Sequence, residues 1–206
     1  MQAARGASLN PSDQTTPNPG TGPRRRYVNL FGAIIVVAYV IDVVSKVVAV
    51  DMLTGKPSVE IVGDYFSLSL ARNPGAAFST GTSYTIVLTG IAIVAALVVV
   101  WVARNLASLG WAIGLGFLLA GILGNLTDRI FRSPGPLRGH VVDFFMFPNF
   151  PVFNFADIFI NIAAATIIVQ ALRGMRVDGR RQSEVDSPVE SPVESPAELP
   201  DELPRS

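Results

Sequence analysis

Residues 27–50 read YVNLFGAIIVVAYVIDVVSKVVAV. Only Asp42 and Lys46 are charged in this stretch, and Val, Ile, Ala, Leu and aromatic side chains dominate the rest. At a rise of about 1.5 Å per residue, a helix of this length crosses the roughly 30 Å hydrocarbon core of a bilayer. The stretch is therefore read as a membrane span. Arg24-Arg25-Arg26 precedes it, which is also how a secretory signal peptide opens. The length of the run, its two charges and the lack of an Ala-x-Ala site at its end favour a retained anchor.

Three further apolar runs cover about 83–103, 109–126 and 152–172. Half of the 206 residues are hydrophobic and only 16 % are charged, against the quarter of charged residues that a soluble domain carries, and the apolar residues are clustered. The expected fold class is a membrane protein, mainly α, with four transmembrane helices. Between the first two runs, Val59 and Ile61, then Phe66, Leu68 and Leu70, alternate with polar neighbours around Gly63-Asp64. Period two broken by a turn predicts a short β-hairpin outside the membrane. Residues 129–151 hold three arginines, prolines and many phenylalanines.

The expected organisation is a disordered tail over 1–26, a four-span domain over 27–173 and a second disordered tail over 174–206. The last of these repeats Ser-Pro-Val-Glu from Ser187. Four spans put both termini on one side. Arg24 to Arg26, Arg104 and the Arg173–Arg181 cluster make that the cytoplasmic side by the positive-inside rule. The hairpin and the 129–151 loop then share the outer face.

Composition also excludes chemistry. Net charge is zero, so no global field points to nucleic acid. There is no cysteine, and the one histidine, His140, cannot build a histidine metal site. No cofactor or metal is expected, and His140, alone in its loop, is read as incidental. Carboxylates, hydroxyls, amides, lysine and arginine remain.

These residues gather at the outer ends of the spans. Asp42, Ser45 and Lys46 lie at i, i+3 and i+4, on one helical face. An unpaired Asp or Lys at a helix centre costs about 2.5–3.5 kcal/mol on insertion scales, so Asp42 and Lys46 read as an ion pair, a ligand-holding pair, or both. Asn125, Asp128 and Arg129 repeat that spacing after glycines at 114, 116, 121 and 124, whose small size lets helices approach closely. Asn154 and Asp157 open the fourth run, where Asp157 also suits a helix N-terminus. Asp143 lies just before it among apolar and aromatic neighbours. Two carboxylates brought together in low dielectric share a proton, so one serves as base on water while the other donates to a carbonyl oxygen. Asn73-Pro74-Gly75-Ala76-Ala77-Phe78 is a turn ahead of the second run. Its asparagine offers a donor and an acceptor for a peptide backbone.

Taken in order, Asp42-x-x-Ser45-Lys46, Asn73-x-Gly75-Ala76-Ala77-Phe78, Gly124-Asn125-x-x-Asp128-Arg129, Val141-Val142-Asp143-Phe144 and Phe153-Asn154-x-Ala156-Asp157 resemble the lipoprotein signal peptidase (signal peptidase II) family. The set covers about Tyr27 to Leu172, and Ala120 stands where the family often has glycine. The resemblance implies a membrane-embedded aspartic endopeptidase of the bacterial cytoplasmic (inner) membrane. Such an enzyme removes signal peptides from diacylglyceryl-modified prolipoproteins, on the amino side of the lipidated cysteine. It implies Asp143 and Asp157 as the catalytic pair. Asn73, Asn125, Arg129 and Asn154 would line the site and hold substrate backbone, Asp42, Lys46 and Gly75 would support it, and Asp128 would help fix Arg129. It implies four helices with a small extracytoplasmic β-sheet and an outer loop. The partners are lipidated prolipoproteins and membrane lipid, and a monomer is expected.

A small ion or proton-coupled transporter is the alternative, since intramembrane Asp, Lys and Arg also mark ion paths. Against it, the charges gather at the outer ends of the runs, and no inverted repeat is visible. Motifs of rhomboid-like serine, metallo- and presenilin-like peptidases are absent.

Overall fold

The computed structural model describes residues 22–75 and 83–182. Seven elements follow in order: α1 (Gly22–Leu53), β1 (Val59–Val62), β2 (Phe66–Asn73), α2 (Ser83–Ala103), α3 (Leu109–Phe131), β3 (Val141–Met146) and α4 (Phe155–Leu172). Among the described residues, four helices are long and apolar enough to cross a membrane.

The bundle is organised around α3. Half of its span is buried, against 22 % or less for each of the others, and it packs against α1, α2 and α4. Its small residues explain this centrality. A methyl group added at Gly121 would lie 2.6 Å from the Ala156 carbonyl oxygen of α4, and one at Gly124 would run into the Asp42 carboxylate of α1. Ala120 is fully buried beside Ala38 and Phe159, so a side chain one carbon larger than glycine is accommodated there. The opposite helix faces are studded with exposed Val, Ile and Leu, as lipid-facing surfaces are.

The expected hairpin is present as β1 and β2, antiparallel, and the sheet is completed by β3 in the order β1-β2-β3. Strand β3 had no sequence signature. Val141, Val142, Asp143 and Phe144 are all buried, and a strand covered on both faces loses the alternation that marks a half-exposed one. An irregularity in register between Leu68 and Ala71 sets Ala71 opposite Asp143 and Asn73 opposite Val141. After β3 the chain turns back so that Phe153 N–H donates to the Phe145 carbonyl at 3.1 Å and Phe145 N–H to the Phe153 carbonyl at 2.9 Å. That return delivers the start of α4 beside Asp143. Phe144, Phe145 and Phe155 lie with ring centroids 4.5–6.3 Å apart beneath it.

The expected limits of the tails shift. Helix α1 begins at Gly22 and includes the three arginines, and Arg24 donates to the Arg104 carbonyl at 2.6 Å. Residues 174–182 fold back onto the α2–α3 connection. Ala107 N–H donates to the Val177 carbonyl at 2.9 Å, and Trp111 Nε1 donates to the Met175 carbonyl at 2.7 Å. Local backbone pairing satisfies groups that a low-complexity reading leaves to water. The rest of both tails, and Ala76, Ala77 and Phe78 of the turn motif, lie outside the described residues.

Candidate active site

Three elements meet at the end of the bundle that carries the sheet. Asp143 comes from β3, Asn125, Asp128 and Arg129 from the last turns of α3, and Asn154 with Asp157 from the first turn of α4.

The start of α4 explains the position of Asp157. A helix leaves its first N–H groups unbonded. Here Asn154 is the N-cap: its Oδ1 accepts from Asp157 N–H at 3.2 Å, while Asp157 Oδ2 accepts from Asn154 N–H at 3.1 Å. This reciprocal capping box locks the Asp157 side chain. Asp42 of α1 satisfies the next donor, its Oδ1 accepting from Ala156 N–H at 2.8 Å. A carboxylate from a second helix thus sits at the positive end of α4.

Asn154 also reaches the other aspartate. Its Nδ2 donates to Asp143 Oδ1 at 2.6 Å and to Asn125 Oδ1 at 3.2 Å. Asn125 Nδ2 in turn donates to Asp157 Oδ1 at 3.1 Å. Asp143 and Asp157 are therefore joined through Asn154, and Asp157 is held on both oxygens by asparagines.

The second oxygen of Asp143 accepts from Asn73 Nδ2 at 2.9 Å. The Asn-x-Gly turn accounts for that aim. Gly75 takes φ +108°, a region that favours glycine, and its N–H donates to Asn73 Oδ1 at 2.8 Å. With its oxygen engaged, Asn73 presents its amide nitrogen to Asp143. Gly75 thus acts on the site through Asn73.

Asp143 is 2 % exposed. Burial pushes its carboxyl up to about 6 from 3.8, and the nearby Asp157 carboxylate adds to the rise, against the lowering effect of the Asn73 and Asn154 donors and of Lys46. This is the carboxyl that holds a proton more readily than an ordinary aspartate.

Behind the pair lies a buried ionic cluster. Lys46 Nζ donates to Asn125 Oδ1 at 2.9 Å and forms ion pairs with Asp42 Oδ2 at 2.8 Å and Asp128 Oδ2 at 3.2 Å. Asp42 and Lys46 are fully buried. Asp128 also binds Arg132 and accepts from Val142 N–H at 3.1 Å. Two acids and two bases balance, which is what lets such a cluster exist in low dielectric. The resemblance has Asp128 helping to fix Arg129; in the structure Asp128 acts on Arg129 through its charge, while its bonds go to Lys46, Arg132 and the β3 backbone. Residue i+4 on α3, not its immediate neighbour, points back along the helix to Asp128.

Arg129 instead lies in the combined field of Asp143, Asp128 and Asp157. Its Nη1 is buried and has no hydrogen-bond partner among the described residues, so it retains a donor for a ligand. Arg132 and the backbone N–H of Ala156 are the contributors to which the sequence reading gave no role. Ala156 acts only through its backbone, which leaves no trace in a side-chain pattern. Arg132 was visible in spacing, four residues after Asp128. His140 takes no part in these bonds.

The family model for signal peptidase (SPase) II matches residues 34–173. The lipoprotein signal peptidase of Mycolicibacterium smegmatis is 45 % identical over 184 residues, covering 86 % of this chain and 78 % of that protein. That of Mycobacterium leprae is 46 % identical over 166 residues, covering 80 % and 82 %. That of Streptomyces griseus is 44 % identical over 162 residues, covering 79 % and 82 %. A solved bacterial membrane enzyme superposes with a TM-score of 0.63 at 26 % identity, covering 71 % of this chain and 94 % of its own. With a match spanning most of the four-helix domain, the chain belongs to the signal peptidase II family and is a protease.

Proposed function

We propose that this protease is an aspartic endopeptidase that removes the signal peptide from diacylglyceryl-modified prolipoproteins, cutting on the amino side of the lipidated cysteine. The observation that carries the reading is the linkage of Asp143 and Asp157 through Asn154. Two carboxyls held in one network, one of them raised by burial, can hold a single proton between them.

In this mechanism the ionised carboxylate takes a proton from water, and the resulting hydroxide attacks the scissile carbonyl. The protonated carboxyl donates to the carbonyl oxygen. Collapse of the tetrahedral intermediate returns a proton to the leaving amine nitrogen, and the C–N bond breaks. Asn73, Asn125, Asn154 and Arg129 hold the substrate backbone and fix the carboxyls, and the Asp42–Lys46–Asp128 cluster fixes the elements that carry them. The site lies near the outer face, with both termini cytoplasmic, so the bond is met at the hydrocarbon boundary while the signal helix and acyl chains stay in lipid. Prolipoprotein and lipid are the partners, and the enzyme works as a monomer.

The test is cleavage of a diacylglyceryl-modified prolipoprotein by purified protein beside Asp143→Asn and Asp157→Asn. The expected result is cleavage by the native chain and none by either folded variant. Cleavage that survives both substitutions would discard this pair; preferential cleavage of an unmodified precursor would discard the substrate class.

A further inference from the structure

The end of the bundle opposite the sheet carries charge that the peptidase reading does not use. Eight arginines (Arg24 to Arg26, Arg104, Arg173, Arg176, Arg180 and Arg181) gather there, and Asp178 is the one acid among the described residues at that level. Between the start of α3 and the end of α4 a groove of about 1050 Å³ opens. Its rim carries Arg173, Arg181 and Gln170, and its inner wall carries Ile113, Ala165 and Val169. The polar rim lies where the spans of α3 and α4 end, at Leu109 and Leu172, which is the headgroup level. The apolar wall lies one to two turns deeper.

We propose that this groove holds an anionic phospholipid, its phosphate between Arg173 and Arg181 and an acyl chain along Ile113, Ala165 and Val169. Charge complementarity selects this occupant. An excess of arginine beside the membrane attracts anionic headgroups, and guanidinium pairs well with phosphate. The Arg173 side chain makes no hydrogen bond or ion pair to the described residues and is exposed on the rim. Tyr27 lines the same groove and Trp111 the one beside it, aromatic side chains of the kind that settle at a membrane interface.

The chain carries its own reporters. Its two tryptophans, Trp101 and Trp111, both lie at this end. The full-length protein in phosphatidylcholine vesicles is titrated with brominated phosphatidylglycerol or brominated phosphatidylcholine, and tryptophan quenching is followed. The expected result is tighter association of the anionic lipid, falling roughly tenfold in Arg173→Gln/Arg181→Gln. Arg25→Gln/Arg26→Gln, the same charge change away from the groove, retains most of the preference. Equal quenching by the two lipids in the native chain overturns the proposal, and so does equal loss in the two double variants, which would mark diffuse charge. A preference that emerges only after deletion of residues 183–206 also overturns it, because the acidic tail would then be the occupant.

Discussion

Asn154 Nδ2 lies 2.6 Å from Asp143 Oδ1, while the backbone N–H of the same asparagine donates to Asp157 Oδ2 at 3.1 Å. One residue thus caps α4 and sets the relation between the two carboxyls. Asn154→Ala is expected to lower kcat by roughly a hundredfold through misplacement of the pair, with about 1 kcal/mol of stability lost from the cap. Asn154→Ser keeps an oxygen at the cap but not the amide donor. It should recover thermal stability without recovering turnover, and recovery of both would show that the amide is dispensable.

Lys46 neutralises Asp42 and Asp128 in a fully buried setting. Lys46→Met leaves a carboxylate unpaired and should cost about 3–5 kcal/mol, read as a lowered unfolding temperature in detergent. Asp42→Asn added to Lys46→Met should restore part of the loss. A single variant as stable as the native chain would contradict this account.

The raised Asp143 carboxyl makes stability depend on pH. A group whose folded pKa of about 6 exceeds its unfolded 3.8 binds its proton more tightly when folded. Its contribution is full below 3.8, declines as pH rises to about 6 and is gone above that. The gap corresponds to about 3 kcal/mol. Asp143→Asn cannot titrate, so it should be inactive, and its stability relative to the native chain should rise by up to that amount between pH 4 and pH 8, on top of a constant cost for setting its amide N–H against the Asn73 or Asn154 donor. Thermal melts of both chains at the two pH values measure the change, and no difference between them would refute the assignment.

Gly124 lies against the Asp42 carboxylate, where an added Cβ would stand 2.9 Å from its Cγ. Gly124→Ala should displace Asp42 from the N-terminus of α4, costing about 1–3 kcal/mol and most of the activity. Gly135→Ala meets open space and should be neutral in both assays. Matching losses in the two variants would point to a general intolerance of alanine.

The four spans were legible because length and apolarity alone decide whether a segment crosses a bilayer, and the ends of α2 and the C-terminal end of α4 fall where the apolar runs end. The β1–β2 hairpin was legible because one face of it remains polar. Side-chain spacing also brought out Asp42 with Lys46 and Asn154 with Asp157, pairs whose partners lie one helical turn apart. What the tertiary structure decided lies across sequence distance. Strand β3 pairs with β2 and is buried on both faces, Asn73 reaches Asp143 from 70 positions away, and Asp42 caps a helix 114 positions later. Local propensity and periodicity report on neighbours along the chain. The bonds that join the two aspartates form only when three helices and a sheet edge close on one another and exclude the water that would otherwise satisfy every one of those polar groups.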